Sequence, residues 1–217
     1  MSQIKANGID IEYEEKGGRR DDTLILVRGL GTQLIDWPSS FVDSLVAGGF
    51  HVVCFDNRDV GLSQKFDGPG VPDLGVVMNG DEQLSYTLQD MADDVVGIMD
   101  TLEIDKAHVL GISMGGMIVQ VLAATHGERL HSMMSVMSSS SRPGLPAASP
   151  EAMATLSAQP DPDGGDDGKD QLTAEGLEIC GSPGYPQSLD ERLAIARRRR
   201  ERNYNPAGVA RQFAAVA

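Results

Sequence analysis

One serine in this chain stands between two glycines where an apolar run ends: Gly111-Ile112-Ser113-Met114-Gly115. Small residues two positions to either side let a backbone close into a sharp turn between a strand and a helix, and such a turn lifts the hydroxyl at its centre clear of the sheet. Ser113 is therefore the candidate nucleophile, with Gly111 and Gly115 forming the elbow. The pattern is weak alone, since 25 of the 217 residues are glycine. Its flanks decide: Ala107-His108-Val109-Leu110 reads as a short buried strand, and Met117, Ile118, Val119, Val121, Leu122 and Ala123 as a mostly apolar helix. A serine hydroxyl is a poor nucleophile at neutral pH until a base takes its proton, and a histidine in that role needs an acid to hold its tautomer.

Alternating strands and helices supply the scaffold. Ile4-Lys5-Ala6 and Ile9-Asp10-Ile11-Glu12-Tyr13 are joined by Asn7-Gly8, a pair suited to the positive φ angles of a tight hairpin turn. Polar residues 14–22 read as a loop, and Thr23-Leu24-Ile25-Leu26-Val27 as a parallel strand covered on both faces. It ends in Arg28-Gly29-Leu30-Gly31. A helix with Phe41, Leu45 and Val46 on one side follows, then Gly48-Gly49 and the strand 50–55. Residues 64–83, rich in Gly, Pro and Asp, are expected to be irregular, and Leu88, Met91, Val95, Ile98, Met99 and Leu102 have helical spacing. After the elbow helix, 130–137 reads as another strand. The strand-helix alternation predicts an α/β fold, with a mostly parallel sheet and right-handed crossovers.

From Arg142 the composition changes. A helix is expected near 150–158, an acidic loop over Asp161 to Asp170, a helix opened by the capping box Ser188-Leu189-Asp190-Glu191 and stopped by Pro206, and the start of a last helix after it. The domain reading is a core over 1–141 and a cap or lid segment over 142–217 that begins the return to the core. A net charge of −14 and a sequence pI near 4.5 argue against binding nucleic acid, which needs clustered cations. Cys54 and Cys180 make neither a disulfide framework nor a metal site, and no cofactor is implied. Without a signal-like N-terminal segment or a run of 18 apolar residues, the expected location is the cytoplasm, with no membrane partner.

With these motifs in hand, the sequence resembles the α/β-hydrolase superfamily over nearly its whole length. The elbow around Ser113 carries the likeness, as do the turn Asp56-x-Arg58-x-x-Gly61-x-Ser63 and Gly29-Leu30-Gly31, which stands where the superfamily has its oxyanion loop. The runs at 29–33, 36–38, 55–63 and 181–186 are more narrowly similar to esterases of the anthracycline methyl esterase type. The resemblance implies helices on both sheet faces, a helical cap, an acyl-enzyme at Ser113 and a small ester-like substrate. It also implies an oxyanion hole from the Leu30 and Met114 amides. Arg28 replaces the usual histidine before Gly29, a change the backbone amides should tolerate.

The same resemblance requires an acid and then a histidine after the serine. Only His126 and His131 follow Ser113. The first closes the elbow helix, about a dozen residues and nearly 20 Å on at roughly 1.5 Å per residue; the second begins a strand at its remote end. Where some relatives carry the acid stand Ser138 to Ser141. Acid, base and C-terminal strands are thus expected to be missing and the chain to be a truncated form; the alternative is an inactive fragment or a ligand-binding pseudo-enzyme. The strand 130–137 would then form an uncovered sheet edge open to self-association. Other features take plainer readings. The residues 161–172 make a poor calcium loop, with Gly165 and Leu172 at ligand positions. The tract Arg197 to Arg200 reads as a charged helix face, the methionines 133, 134 and 137 as packing, and Asp56 with Arg58 as a turn-stabilising ion pair.

Overall fold

The computed structural model describes residues 1–19, 22–68, 70–73, 76–77, 84–142, 144–146, 148–158, 161 and 163–216. The excursion expected over 64–83 therefore lies partly outside the described residues, as does Pro162 of the acidic segment. By internal contacts the chain divides into two compact units, 1–140 with 205–217, and 141–204.

The first unit is built on six strands. Ser2–Ala6 (β1) and Ile9–Lys16 (β2) pair antiparallel around Asn7 (φ 47) and Gly8 (φ 78), the two positive angles that Asn-Gly accommodates. Asp22–Val27 (β3), Phe50–Phe55 (β4), Ala107–Ile112 (β5) and Leu130–Val136 (β6) run parallel, in the order β1-β2-β4-β3-β5-β6. The expected loop over 14–22 is shorter than its polarity suggests. Tyr13 to Lys16 extend β2 because they pair antiparallel with Val52 to Phe55, which otherwise would leave that side of β4 without a ladder.

Alternate residues of these strands feed two cores. Leu24, Leu26, Val52 and Cys54 pack with Leu34, Trp37 and Val42, the last from the helix Ser39–Ala47 (α1). Ile25, Val27, Val53, Phe55 and Val109 pack with the helices Leu88–Thr101 (α2) and Met114–Thr125 (α3), through Met91, Val95, Ile98, Ile118 and Leu122. Burial on both faces explains strands too apolar to alternate. Because β3 has its successor β4 on one side and β5 on the other, the direction of winding reverses beside β3, which opens a crevice at the C-terminal strand ends. β6 closes the sheet and pairs only with β5 among the described residues; Met133, Met134 and Val136 are exposed.

The second unit holds Pro150–Ser157 (α4), Gly165–Ile179 (α5) and Leu189–Arg202 (α6), the last starting at the expected Ser188-Glu191 capping box. The acidic loop expected over Asp161 to Asp170 is corrected from Gly165 onward, where α5 begins. Asp166 and Asp167 occupy its first turn, where carboxylates suit the positive helix end, and buried Asp170 receives the Arg200 guanidinium at 2.8 and 2.9 Å. The arginine tract of α6 thus answers the acidic start of α5. The chain returns to the first unit at Asn205, which caps Pro206–Ala214 (α7) by accepting the Gly208 amide.

Candidate active site

Ser113 joins β5 to α3 with φ 56 and ψ −123, a conformation that L-residues rarely adopt. Its amide donates to the Val136 carbonyl at 3.0 Å, and its carbonyl accepts the Gly116 and Met117 amides. The neighbouring glycines are steric necessities. A Cβ on Gly111 would collide with the Gly115 carbonyl, one on Gly115 with the Val27 carbonyl, and one on Gly116 with the Ser138 side chain. The close approach on the other side comes from β3. A Cβ on Gly29 would lie 3.1 Å from Ser113 Cβ and 3.5 Å from its Oγ, so the glycine turn after β3 rests directly against the serine side chain.

That turn is held from several directions. The Thr32 amide and hydroxyl donate to the Gly29 carbonyl at 3.3 and 2.8 Å, and Asn57 Nδ2 donates to the Arg28 carbonyl at 2.9 Å. Arg28 stacks its guanidinium 4.6 Å from the Trp37 ring centre. At the end of the turn, Gly31 (φ 64) donates its amide to Gln212 Oε1 at 2.9 Å. Among the described residues, neither the Leu30 nor the Met114 amide meets a hydrogen-bond acceptor. One lies in a turn against Ser113 and the other begins a helix, so both are donors of the kind an oxyanion requires.

The turn after β4 departs from the expected ion pair. Asp56 accepts the Leu34 and Leu62 amides at 2.7 and 2.9 Å, whereas Arg58 is bidentate to Asp94 at 2.7 Å on both oxygens. The reason is reach: within a turn, residues two apart need not face each other, and α2 presents Asp94 to Arg58 instead. Next to it, fully buried Asp59 receives Arg211 from α7 through two bonds of 2.8 Å, along with the Tyr86 hydroxyl and the Phe66 amide. Burial disfavours the Asp59 carboxylate, but Arg211, the Phe66 amide and Tyr86 together hold it below the usual carboxylate range. Burial, and then the Asp59 charge, push the Tyr86 phenol up. Burial likewise pushes the Cys54 thiol up to about 12, which leaves it inert as a nucleophile.

No histidine stands beside Ser113. His126 caps the far end of α3, with Nε2 at 2.9 Å from Asp93. His131 lies 5.2 Å ring to ring from His108, which bonds Ser132. His51 is buried between Thr23 and Glu15 at 3.0 and 2.9 Å. His51 and His131 line a cleft of about 460 Å³ with Arg19, Glu103 and Lys106, at the N-terminal ends of the parallel strands. At the expected acid position Ser138 donates its hydroxyl to the Ser113 carbonyl at 2.8 Å. Among the described residues no group of three or more His, Cys, Asp and Glu side chains is placed to hold a metal.

The helix expected after Pro206 is α7, but sequence reasoning missed what its side chains do. Its Arg211 and Gln212 carry no motif, and the only local signal was Asn205-Pro206 as a helix start.

A strained serine at a strand-to-helix turn, with a glycine turn against it at the reversal of a parallel sheet, is the architecture of a hydrolase fold. A family model described as alpha/beta hydrolase fold matches residues 22–168, and the chain belongs to that family. It is 31% identical over 127 residues to rhodomycin D methylesterase DauP of Streptomyces sp. (strain C5), covering 58% of this chain and 38% of that enzyme. Rhodomycin D methylesterase DnrP of Streptomyces peucetius is 32% identical over the same number of residues. Among solved structures, the enol-lactonase of Burkholderia xenovorans LB400 superposes with a TM-score of 0.71 at 26% identity, covering 99% of this chain and 73% of that one. The matched segment thus spans about two-fifths of the curated relatives' length. Esterase relatives accord with the narrower resemblance read from the sequence.

Proposed function

We propose that this chain carries the nucleophile and oxyanion hole of a serine hydrolase that cleaves small carboxylic esters. The observation that carries the reading is Ser113 at φ 56 on the N-terminus of α3, with Gly29 against its side chain. In the proposed reaction Ser113 Oγ attacks the ester carbonyl and its proton passes to a base. The oxyanion is held by the Leu30 and Met114 amides, and the alcohol leaves with a proton as the acyl-enzyme forms. Water then attacks the acyl group and returns the serine. Fold alone would allow thioester or carbon–carbon bond cleavage with the same atoms; the methylesterase relatives favour an ester. A histidine and an acid from outside these 217 residues would complete the site, making this a truncated form, and 142–217 is the proposed cap segment with the start of the return to the core. The proposed setting is the cytoplasm; no described helix is long and apolar enough to cross a membrane. A fluorophosphonate probe followed by peptide mapping tests the assignment, with Ser113 the expected site and labelling that survives Ser113→Ala the result that sinks it.

One observation favours a second reading, a ligand-binding pseudo-enzyme: every histidine of the chain is engaged away from Ser113. Hydrolysis of p-nitrophenyl acetate by the 217-residue chain separates the two. Residual catalysis from an oxyanion hole alone can reach roughly 10³-fold over water and needs no serine, so robust hydrolysis that disappears in Ser113→Ala would favour the enzyme. We also propose that β6 mediates self-association, because its edge is unpaired among the described residues and uncharged over Met133 to Met137. Light scattering after size exclusion should show oligomers that Met134→Lys reduces; a monodisperse monomer rejects the idea.

A further inference from the structure

Gln212 lies on α7 beside Arg211 and is fully buried. Its carboxamide oxygen accepts the Gly31 amide at 2.9 Å, and its nitrogen donates to the Arg58 carbonyl at 2.7 Å. These partners fix which way round the amide lies, since an N–H needs the oxygen and a carbonyl needs the nitrogen. Gly31 ends the turn that rests on Ser113, and Arg58 belongs to the loop after β4. Because β3 and β4 are neighbours, one side chain ties together the loops leaving two adjacent strands at their C-terminal ends. Val209, on the preceding turn of α7, closes the other side: a Cβ on Gly31 would lie 3.1 Å from Val209 Cγ2. The glycine turn is thus clamped between Ser113 and α7.

We propose that Gln212 is a positioning residue, which holds Gly29-Leu30-Gly31 against Ser113 so that the Leu30 amide keeps its place as an oxyanion donor. The proposal rests on the reading of Ser113 as nucleophile. Loss of the carboxamide would leave the half-buried Gly31 amide and the buried Arg58 carbonyl without these partners, and the turn would shift to satisfy them. A displacement of about 1 Å in a catalytic group can cost on the order of 10²-fold in rate. A general stabilising residue, by contrast, would lower the melting temperature without changing chemistry in the folded molecule.

Two substitutions separate these roles. Gln212→Leu keeps the bulk and removes both hydrogen bonds. Gln212→Glu retains the oxygen acceptor, and only its protonated form regains a donor for the Arg58 carbonyl. In the 217-residue chain, the fluorophosphonate labelling rate at Ser113 is measured across pH, each variant against the wild type at the same pH. Amide exchange is followed at Leu30, Gly31 and the β3 core residues Leu24 to Leu26. Gln212→Leu should label about tenfold more slowly at every pH, with faster exchange at Gly31 and unchanged protection in β3. Gln212→Glu should approach the wild-type rate as pH falls and the carboxyl protonates. Unchanged labelling and Gly31 exchange in folded Gln212→Leu overturns the proposal, as does an equal loss of protection throughout β3. A wild type labelled at another residue and not at Ser113 defeats the nucleophile reading itself, whereas no label at all is what a serine without its base gives. Gly31 exchange then decides about Gln212 separately: a change confined to the turn upholds positioning, and a global change or none rejects it.

Discussion

At the C-terminal ends of the central strands, Ser113 sits in a strained turn against Gly29, with two amide donors nearby and no imidazole. At the N-terminal ends of the same strands, Glu15, His51 and Thr23 form a line of hydrogen bonds in the chemical order of an acid, a base and a hydroxyl. Residue types alone would favour the second region. Yet Thr23 pairs with His51 in regular β3–β4 register and is nearly buried, so its hydroxyl has neither an exposed approach nor a turn that gathers free amides around it. In the proposed reading it is the backbone that makes Ser113 the nucleophile. A strained φ angle at a helix start distinguishes Ser113, whereas the Thr23 line satisfies buried polar groups where strands begin.

Ser113→Ala should abolish covalent labelling, and Thr23→Val should leave it unchanged. Labelling lost in Thr23→Val but kept in Ser113→Ala would reverse the assignment of the two ends.

Next in size is the support behind the serine end. Arg211→Ala would leave Asp59 buried without its cation, a change that costs about 3–5 kcal/mol for buried pairs; both side chains are almost wholly inaccessible. The sign with pH follows from the lowered Asp59 pKa. Its contribution is complete above the unfolded carboxyl value of about 3.9 and is lost as pH falls toward the depressed folded value. The variant carboxyl, buried without Arg211, protonates more readily. The stability gap between wild type and variant, measured by denaturant melts, should therefore narrow below about pH 4. A gap independent of pH would remove Asp59 from the account. Gly115→Ala follows at about 3 kcal/mol, since its methyl must displace the Val27 backbone. The Arg19–Glu15 pair at the opposite end is exposed on its arginine side, and Arg19→Ala should cost far less than Gly115→Ala. Equal losses in these two variants would mean that the serine end is no more tightly built than the other.

What the sequence made legible was local. Gly111 and Gly115 flank Ser113 at fixed offsets, Asn7-Gly8 turns its own hairpin, and Ser188 with Glu191 caps its own helix, so each signal and its structural effect lie within a few residues. The remainder depended on distant partners. Gln212 meets Gly31 across 181 positions and Arg211 meets Asp59 across 152, and no spacing rule reports such pairs. The acidic start of α5 looked like a solvated loop because Arg200, which neutralises it, comes 30 residues later. Asp56 and Arg58 misled in the opposite way, since closeness in sequence stood in for a contact that Asp94 makes instead.

The histidines that follow Ser113 should matter least, because neither lies within reach of it. His126 ends the helix that Ser113 begins, and 12 residues of helix span roughly 18 Å. His131 lies one residue before Ser132, the partner of His108, while Ser113 follows Ile112 at the other end of β5. At roughly 3.3 Å per residue that is on the order of 15 Å. Both distances exceed by several-fold the roughly 3 Å over which a base takes a proton. Replacing either histidine by alanine should therefore change the labelling rate at Ser113 by less than about twofold. The His126–Asp93 pair is itself partly exposed, so its loss should cost at most about 1 kcal/mol. The pH profile supplies an independent measure. A rate governed by an imidazole levels off above a histidine pKa of about 6.5. A serine without such a base should instead keep gaining rate with hydroxide through pH 8 and 9. A plateau near neutrality that disappears in His126→Ala or His131→Ala would show that α3 or β6 moves enough to bring the two ends together, and the separation described above would then fail.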